Sequence, residues 1–177
     1  ERITDGDTSA GCTWHREDAR NPGAVGLRGT LLVELNDAGS VQYVCDGCEP
    51  LFKPGPAIEA LLKAATASQA SAERPAPTYA PRVPQGARDA VDYLWTEAYP
   101  GGAGIAEALK LFSDDIRYED FNYEEPFVGT RAVTDFLKSF DIPGVKFCIR
   151  RRTVGDAACV FTWVVRLNDQ DGPRGIS

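Results

Sequence analysis

Apolar and polar residues change their spacing several times along this 177-residue chain, and each change marks an element. In residues 9–17, Cys12 and Trp14 fall on one parity and Thr13 and His15 on the other, the period of a half-buried strand. Residues 18–26 are polar and carry the turn signal Asn21-Pro22-Gly23. Alternation returns in residues 27–35, where Leu31, Val33 and Leu35 oppose Leu32 and Glu34. Asn36-Asp37-Ala38-Gly39-Ser40 then reads as a hairpin loop and residues 41–45 as the next strand, so the first fifty residues predict a β-meander. At Pro54-Gly55-Pro56 the period switches. Ile58, Leu61, Leu62 and Ala65 recur at i, i+3, i+4 and i+7, the stripe of an amphipathic helix whose first turn tolerates proline.

Residues 71–86 interrupt every pattern. Pro75, Pro77, Pro81 and Pro84 predict an extended, semi-rigid linker, which divides the chain into units 1–70 and 87–177. The second unit opens with a helix over 87–99, striped by Val91, Leu94, Trp95 and Ala98, and broken by Pro100-Gly101-Gly102. A shorter helix carries Ile105, Leu109 and Phe112 on one side. Residues 116–121 predict a short strand, and residues 130–140 a helix striped by Val133, Phe136, Leu137 and Phe140. Strands follow over 145–152 and 158–167, then a loop over 168–172 and a further strand beginning at Gly175-Ile176. The elements together predict an α+β fold.

The chain also resembles itself. Arg2-Ile3-Thr4-Asp5-Gly6-Asp7 is matched by Arg151-Arg152-Thr153-Val154-Gly155-Asp156, and Thr13-Trp14 by Thr162-Trp163, both at an offset of 149 residues. Arg28-Gly29 matches Arg174-Gly175 at an offset of 146. These collinear matches predict two tandem copies of one domain. Residues 1–70 read as the C-terminal part of the first copy and residues 87–177 as the N-terminal part of the second. Either the halves complete each other as a permuted domain, or further chain completes each.

Charge and composition narrow the function classes. A net charge of −7 argues against nucleic acid, which needs a basic face, and Arg150-Arg151-Arg152 reads as a strand end reaching solvent. No apolar run approaches the roughly 20 residues that span a bilayer. The absence of Met and the opening at Glu1 suit a processed or trimmed piece of a longer chain. Five scattered cysteines, an odd number, suit a reducing compartment. Cys45 and Cys48 form a Cys-x-x-Cys that could be incidental, redox-active or metal-binding, but it lacks the second ligand pair of a structural zinc site.

The densest chemistry lies in residues 117–129, with Glu119, Asp120, Glu124 and Glu125 among Tyr118, Phe121, Tyr123 and Phe127. Carboxylates are costly to bury unpaired, so this stretch lines a cleft or forms a solvated turn with aromatic anchors. On a strand, Tyr118 and Asp120 share a face while Glu119 opposes them, which makes a donor and a base available to one site. Tyr123 is a second candidate donor. His15, the sole histidine, is a candidate base or a surface residue. Trp14 and Trp163 are candidate sheet-core residues or pocket walls for a flat apolar ligand.

Tyr118-Glu119-Asp120, Glu125-Pro126-Phe127-Val128-Gly129, Ala132-Val133 and Phe136-Leu137 resemble the nuclear-transport-factor-2-like superfamily in its SnoaL-like, ketosteroid-isomerase-like branch. Thr13-Trp14-His15, Arg28-Gly29, Val44, Glu49-Pro50 and Phe52-Lys53-Pro54-Gly55 narrow the resemblance to SnoaL-like proteins of plant and algal chloroplasts. The resemblance implies an α+β cone, a bent antiparallel sheet around helices with a pocket at its wide end. It implies a chloroplast location and no cofactor. The branch contains isomerases, cyclases and dehydratases as well as non-catalytic modules, so fold does not select the activity. One implied function is a binding or scaffold module, an accessory or linker subunit with protein partners in a photosynthetic assembly. The alternative is an isomerase or cyclase acting on a small apolar ligand. It would use Asp120 as base and Tyr118 or Tyr123 as donor, with Trp14, Phe127 and Trp163 as walls.

Overall fold

The computed structural model describes residues 2–68, 76–142, 144–167 and 170–177. Their architecture is α+β, with antiparallel sheets and intervening helices. Strands β1 (Ile3–Asp5), β2 (Ser9–Glu17), β3 (Val25–Leu35) and β4 (Val41–Cys48) form a meander paired in chain order. The β3–β4 loop closes as its residues dictate. Gly39 takes φ +76°, and Asn36 Oδ1 accepts from the Ala38 and Ser40 amides at 3.0 and 2.9 Å.

Strand β4 runs past its expected end at Cys45, and Cys48 pairs with Gly29. Residues three apart on a strand face opposite sides, about 10 Å from each other. Cys45 is accordingly half-buried and Cys48 exposed, and both are free. No group of three or more His, Cys, Asp or Glu that could hold a metal ion forms among the described residues.

Helix α1 (Gly55–Ser68) follows β4. Its predicted stripe is only partly buried, since Leu61 stays 71% exposed while Ile58, Leu62 and Ala65 are half-covered. Residues 71–75 of the expected linker lie outside the described residues. Residues 76–85 are docked along the second unit. The Thr78 amide donates to the Gly101 carbonyl at 2.8 Å, and Arg82 bonds Asp89 and Glu97 while lying over the Tyr93 ring at 4.8 Å.

The second unit comprises α2 (Gly86–Asp92), α3 (Ile105–Leu109), a short hairpin of β5 (Arg117–Tyr118) and β6 (Phe127–Val128), α4 (Gly129–Leu137), and a sheet of β7 (Val145–Val154), β8 (Cys159–Leu167) and β9 (Gln170–Ile176). The regular helix expected over 87–99 becomes a π-helix at Tyr93–Ala98. The wider turn brings Tyr93, Leu94 and Ala98 to the core together, although Tyr93 and Ala98 are five residues apart. Strand β9 begins at Gln170, inside the expected loop. Asp171 is held there by Arg166 at 2.8 Å and Arg150 at 3.1 Å. Residues 168 and 169 of that loop lie outside the described residues.

The self-similar segments share detailed geometry. Ile3 opposes Cys12 in β1–β2, and Arg152 opposes Phe161 in β7–β8. In each hairpin an arginine amide bonds a threonine hydroxyl, Arg2 to Thr13 at 3.0 Å and Arg151 to Thr162 at 3.2 Å. Trp14 opposes Gly29, and Trp163 opposes Gly175. Each indole lies flat on its glycine, where a Cβ would overlap the ring. The register slips between His15 and Glu17 and, at the matching place, between Val164 and Arg166.

The two units pack on each other through these hairpins. Gly11 is pressed against Val160 and Thr153, where a Cβ would come within 2.7 Å of Val160. Thr153 is 1% exposed, accepts from the Ser9 hydroxyl at 2.8 Å and donates to the Ser9 carbonyl at 3.0 Å. Arg151 lies over the Tyr43 ring at 4.1 Å and pairs with Glu34. Gly47 of β4 meets Ile176 of β9. Leu32, Tyr93, Val133, Phe136, Val160, Phe161 and Val164 are the main buried side chains.

Candidate functional site

The acidic and aromatic stretch begins as a strand and leaves it at once. Strand β5 ends at Tyr118, because Asp120 folds the chain into a turn. Its Oδ1 accepts from the Asn122 amide at 2.9 Å and from Asn122 Nδ2 at 2.8 Å, and its carbonyl accepts from the Tyr123 amide at 2.9 Å. Tyr118 and Asp120 therefore do not share a strand face, contrary to the expectation from alternation. They remain coupled through charge. Burial and then the Asp120 carboxylate push the Tyr118 hydroxyl up to about 12.

Tyr118, Tyr123 and Phe127 converge on Phe136 of α4. Phe127 stacks on Phe136 at 4.2 Å, Tyr118 tilts against it at 5.4 Å, and Tyr123 meets it edge-on at 5.5 Å. Phe140 closes the cluster at 4.9 Å. Phe136 is only 4% exposed beneath these rings. Tyr123 also fixes α1: its ring leaves no room for a side chain at Gly55, and its hydroxyl donates to the Gly55 carbonyl at 3.0 Å. Burial, then Glu59 and Asp120, push the Tyr123 hydroxyl up to about 12.

Beside this cluster stands a hub that sequence periodicity did not single out. Glu49, 8% exposed, accepts from the Arg28 amide at 2.6 Å, from two Arg28 guanidinium nitrogens at 3.3 and 3.1 Å, and from Lys53 Nζ. Burial opposes ionisation of Glu49, but the bonds from Arg28 and Lys53 outweigh it and hold the carboxyl below its usual range. The same two cations reach the acidic stretch. Lys53 donates to the Phe121 carbonyl at 3.1 Å, and Arg28 meets Glu119 at 3.4 Å and the Phe121 ring at 5.3 Å. The Gly55 amide donates to the Asn122 carbonyl at 3.0 Å. Arg28, Glu49 and Lys53 each lie in a motif singled out above, but nothing in the spacing tied Arg28 to Glu49.

The remaining candidates lie on other elements. His15 is an exposed residue of β2 opposite Arg28. Trp14 is half-buried and donates its indole N–H to Asp46 at 3.1 Å. Trp163 donates to Ser177 Oγ at 3.0 Å and meets Phe147, which leads to Trp95 and Phe161 in a separate aromatic group. A cleft of about 380 Å³ runs between the hairpins past Ser9, Arg88, Arg152 and Thr153, and another of about 470 Å³ past Val83, Ala87, Lys110 and Leu111. Neither is lined by Tyr118, Asp120, Trp14 or Trp163.

A second buried carboxylate also escaped the sequence pattern. Glu107 accepts from Tyr93 at 2.6 Å, Tyr79 at 3.0 Å and Lys110 at 2.7 Å. Those bonds, Lys110 first, hold it below the usual carboxylate range, and they fasten the proline-rich segment to α3. A carboxylate so fully used is a structural tie rather than an available base. No helix among the described residues is long and apolar enough to cross a membrane. No protein-family model matches the chain, and neither does any curated protein or solved structure.

Proposed function

We propose that this chain is a non-catalytic binding or scaffold module of the nuclear-transport-factor-2-like, SnoaL-like kind. Its role is that of an accessory or linker subunit in a chloroplast photosynthetic complex. The observation that carries the reading is the use made of the acidic stretch. Asp120 Oδ1 is bonded within an internal turn, and the neighbouring rings of Tyr118, Tyr123 and Phe127 pack on Phe136. A pocket base needs a free carboxylate facing a cavity. Two further features support the family part of the reading. The shared register, Arg–Thr bond and tryptophan-on-glycine contact of the two units fit tandem copies of one domain. The mutual packing of the units fits the permuted arrangement, in which each supplies what the other lacks.

The test is co-migration. In native gels of solubilised photosynthetic membranes, the tagged chain should run with a larger protein complex. Recovery of free protein alone would overturn the module reading. Asp120→Asn keeps the oxygen that accepts the turn bonds, so it should leave co-migration unchanged. The isomerase or cyclase alternative instead requires that Asp120→Asn abolish turnover.

A further inference from the structure

Leu51 and Phe52 are adjacent, and 89% and 77% exposed. They do not sit on a loose loop. On one side Glu49 is 8% exposed and bound to Arg28; on the other Lys53 is bound to Glu49 and to the Phe121 carbonyl. Two residues later the Gly55 amide is bonded to Asn122, and the Gly55 carbonyl to Tyr123. Pro50 and Pro54 flank the pair and restrict the backbone further. The fold spends a buried carboxylate and two cations to hold a short segment whose tip is apolar and faces water. Rigid display removes the ordering cost an apolar contact would otherwise incur on binding.

We infer that Leu51 and Phe52 form a rigid apolar prong that docks into an apolar pocket with a basic rim on a protein partner. The inference rests on the module reading above and names the surface that module uses. The rim follows from charge. The contacts of Lys53 and Gly55 with residues 121–123 set the prong beside the acidic stretch, whose Glu124 and Glu125 are exposed. The chain as a whole carries −7. An anionic membrane surface or a second copy of this chain would meet like charge there, whereas a basic protein rim meets opposite charge. A protruding pair of large apolar side chains also calls for a concave receiver, the arrangement in which anchors of this kind contribute most to affinity.

The experiment uses the full chain with benzoylphenylalanine in place of Phe52, photo-crosslinked in native extract. The crosslinked protein is then purified and titrated against wild-type chain and variants. Leu51→Ser/Phe52→Ser should weaken binding by at least about 30-fold while leaving the unfolding midpoint unchanged, since both side chains are already in water. Glu124→Lys/Glu125→Lys should weaken binding and flatten its salt dependence. If the Leu51→Ser/Phe52→Ser variant binds as wild type, the prong is wrong and the module reading survives. Flotation of wild-type chain with phosphatidylglycerol vesicles, or self-association in sedimentation velocity that the same variant abolishes, would overturn a protein receiver. If wild-type chain enters no complex, the module reading itself fails.

Discussion

Glu49 shows what a single buried carboxylate does in this molecule. It binds the backbone and side chain of Arg28 and the ammonium of Lys53, and through them it fastens the acidic stretch of one unit to the other. Both cations are only about a fifth exposed, so removing their partner leaves charge in a poorly solvated place. Glu49→Gln should therefore cost about 2 kcal/mol at pH 7, read as a lower urea midpoint. The pH dependence follows from the direction of its shift. The folded carboxyl lies below its unfolded value of about 4.3, so the stabilisation is complete above that value and is lost as pH falls through the folded one. Wild-type stability should drop on acidification below about pH 4, and Glu49→Gln should make that slope shallower. Thr4 makes the opposite case. It is 3% exposed, and its hydroxyl has no hydrogen-bond partner among the described residues. Its counterpart Thr153 has one, supplied by Ser9; the residue matching Ser9 in the second unit is Ala158, which has no hydroxyl to offer. Thr4→Val keeps the shape and removes the unpaired group, and should stabilise the protein by about 1 kcal/mol in the same assay.

At the scale of the elements, the tryptophan-on-glycine contacts explain why Gly29 and Gly175 recur in the self-similar segments. Each glycine lies opposite its tryptophan on the next strand, and the indole occupies the volume a Cβ would need. Gly29→Ala and Gly175→Ala should each cost about 1–3 kcal/mol by displacing the ring. Each should also red-shift indole fluorescence, and a substitution that leaves both unchanged would remove the proposed equivalence of the two sites. Strands β2, β3, β7 and β8 were legible from alternation of side chains in the sequence, although residues 26–35 of β3 and 159–166 of β8 are covered on both faces. The short strand β1 escaped, having too few residues to show a period. Strand β5 was expected to be longer, since alternation in Tyr118-Glu119-Asp120 gives no warning that Asn122 will draw Asp120 into a turn. The aromatic members of the candidate site were legible by composition. Glu49 and Glu107 were not, because a carboxylate becomes buried only when its cations and hydroxyls arrive from distant positions, as Arg28 and Tyr79 do.

For the whole molecule, the decisive question is whether the two units can fold apart. Without residues 1–68, Val160 and Thr153 lose Gly11 and Ser9, Arg151 loses Glu34 and Tyr43, Ile176 loses Gly47, and the turn at Asp120 loses Lys53 and Gly55. That strips apolar cover from the second sheet and bonding partners from the acidic stretch at once. The docked segment of residues 76–85 and the Glu107 tie would survive, since all their partners lie within residues 76–177. Residues 76–177 expressed alone should therefore keep helical circular dichroism from α2, the π-helix and α3, yet unfold in urea without a cooperative transition. Adding residues 1–68 as a separate peptide should restore cooperativity at a concentration-dependent midpoint, because association then contributes to stability by mass action. A fragment that melts as cooperatively as the full chain would mean that the interface between the units is an accessory contact. Their complementarity would then lie in sequence alone.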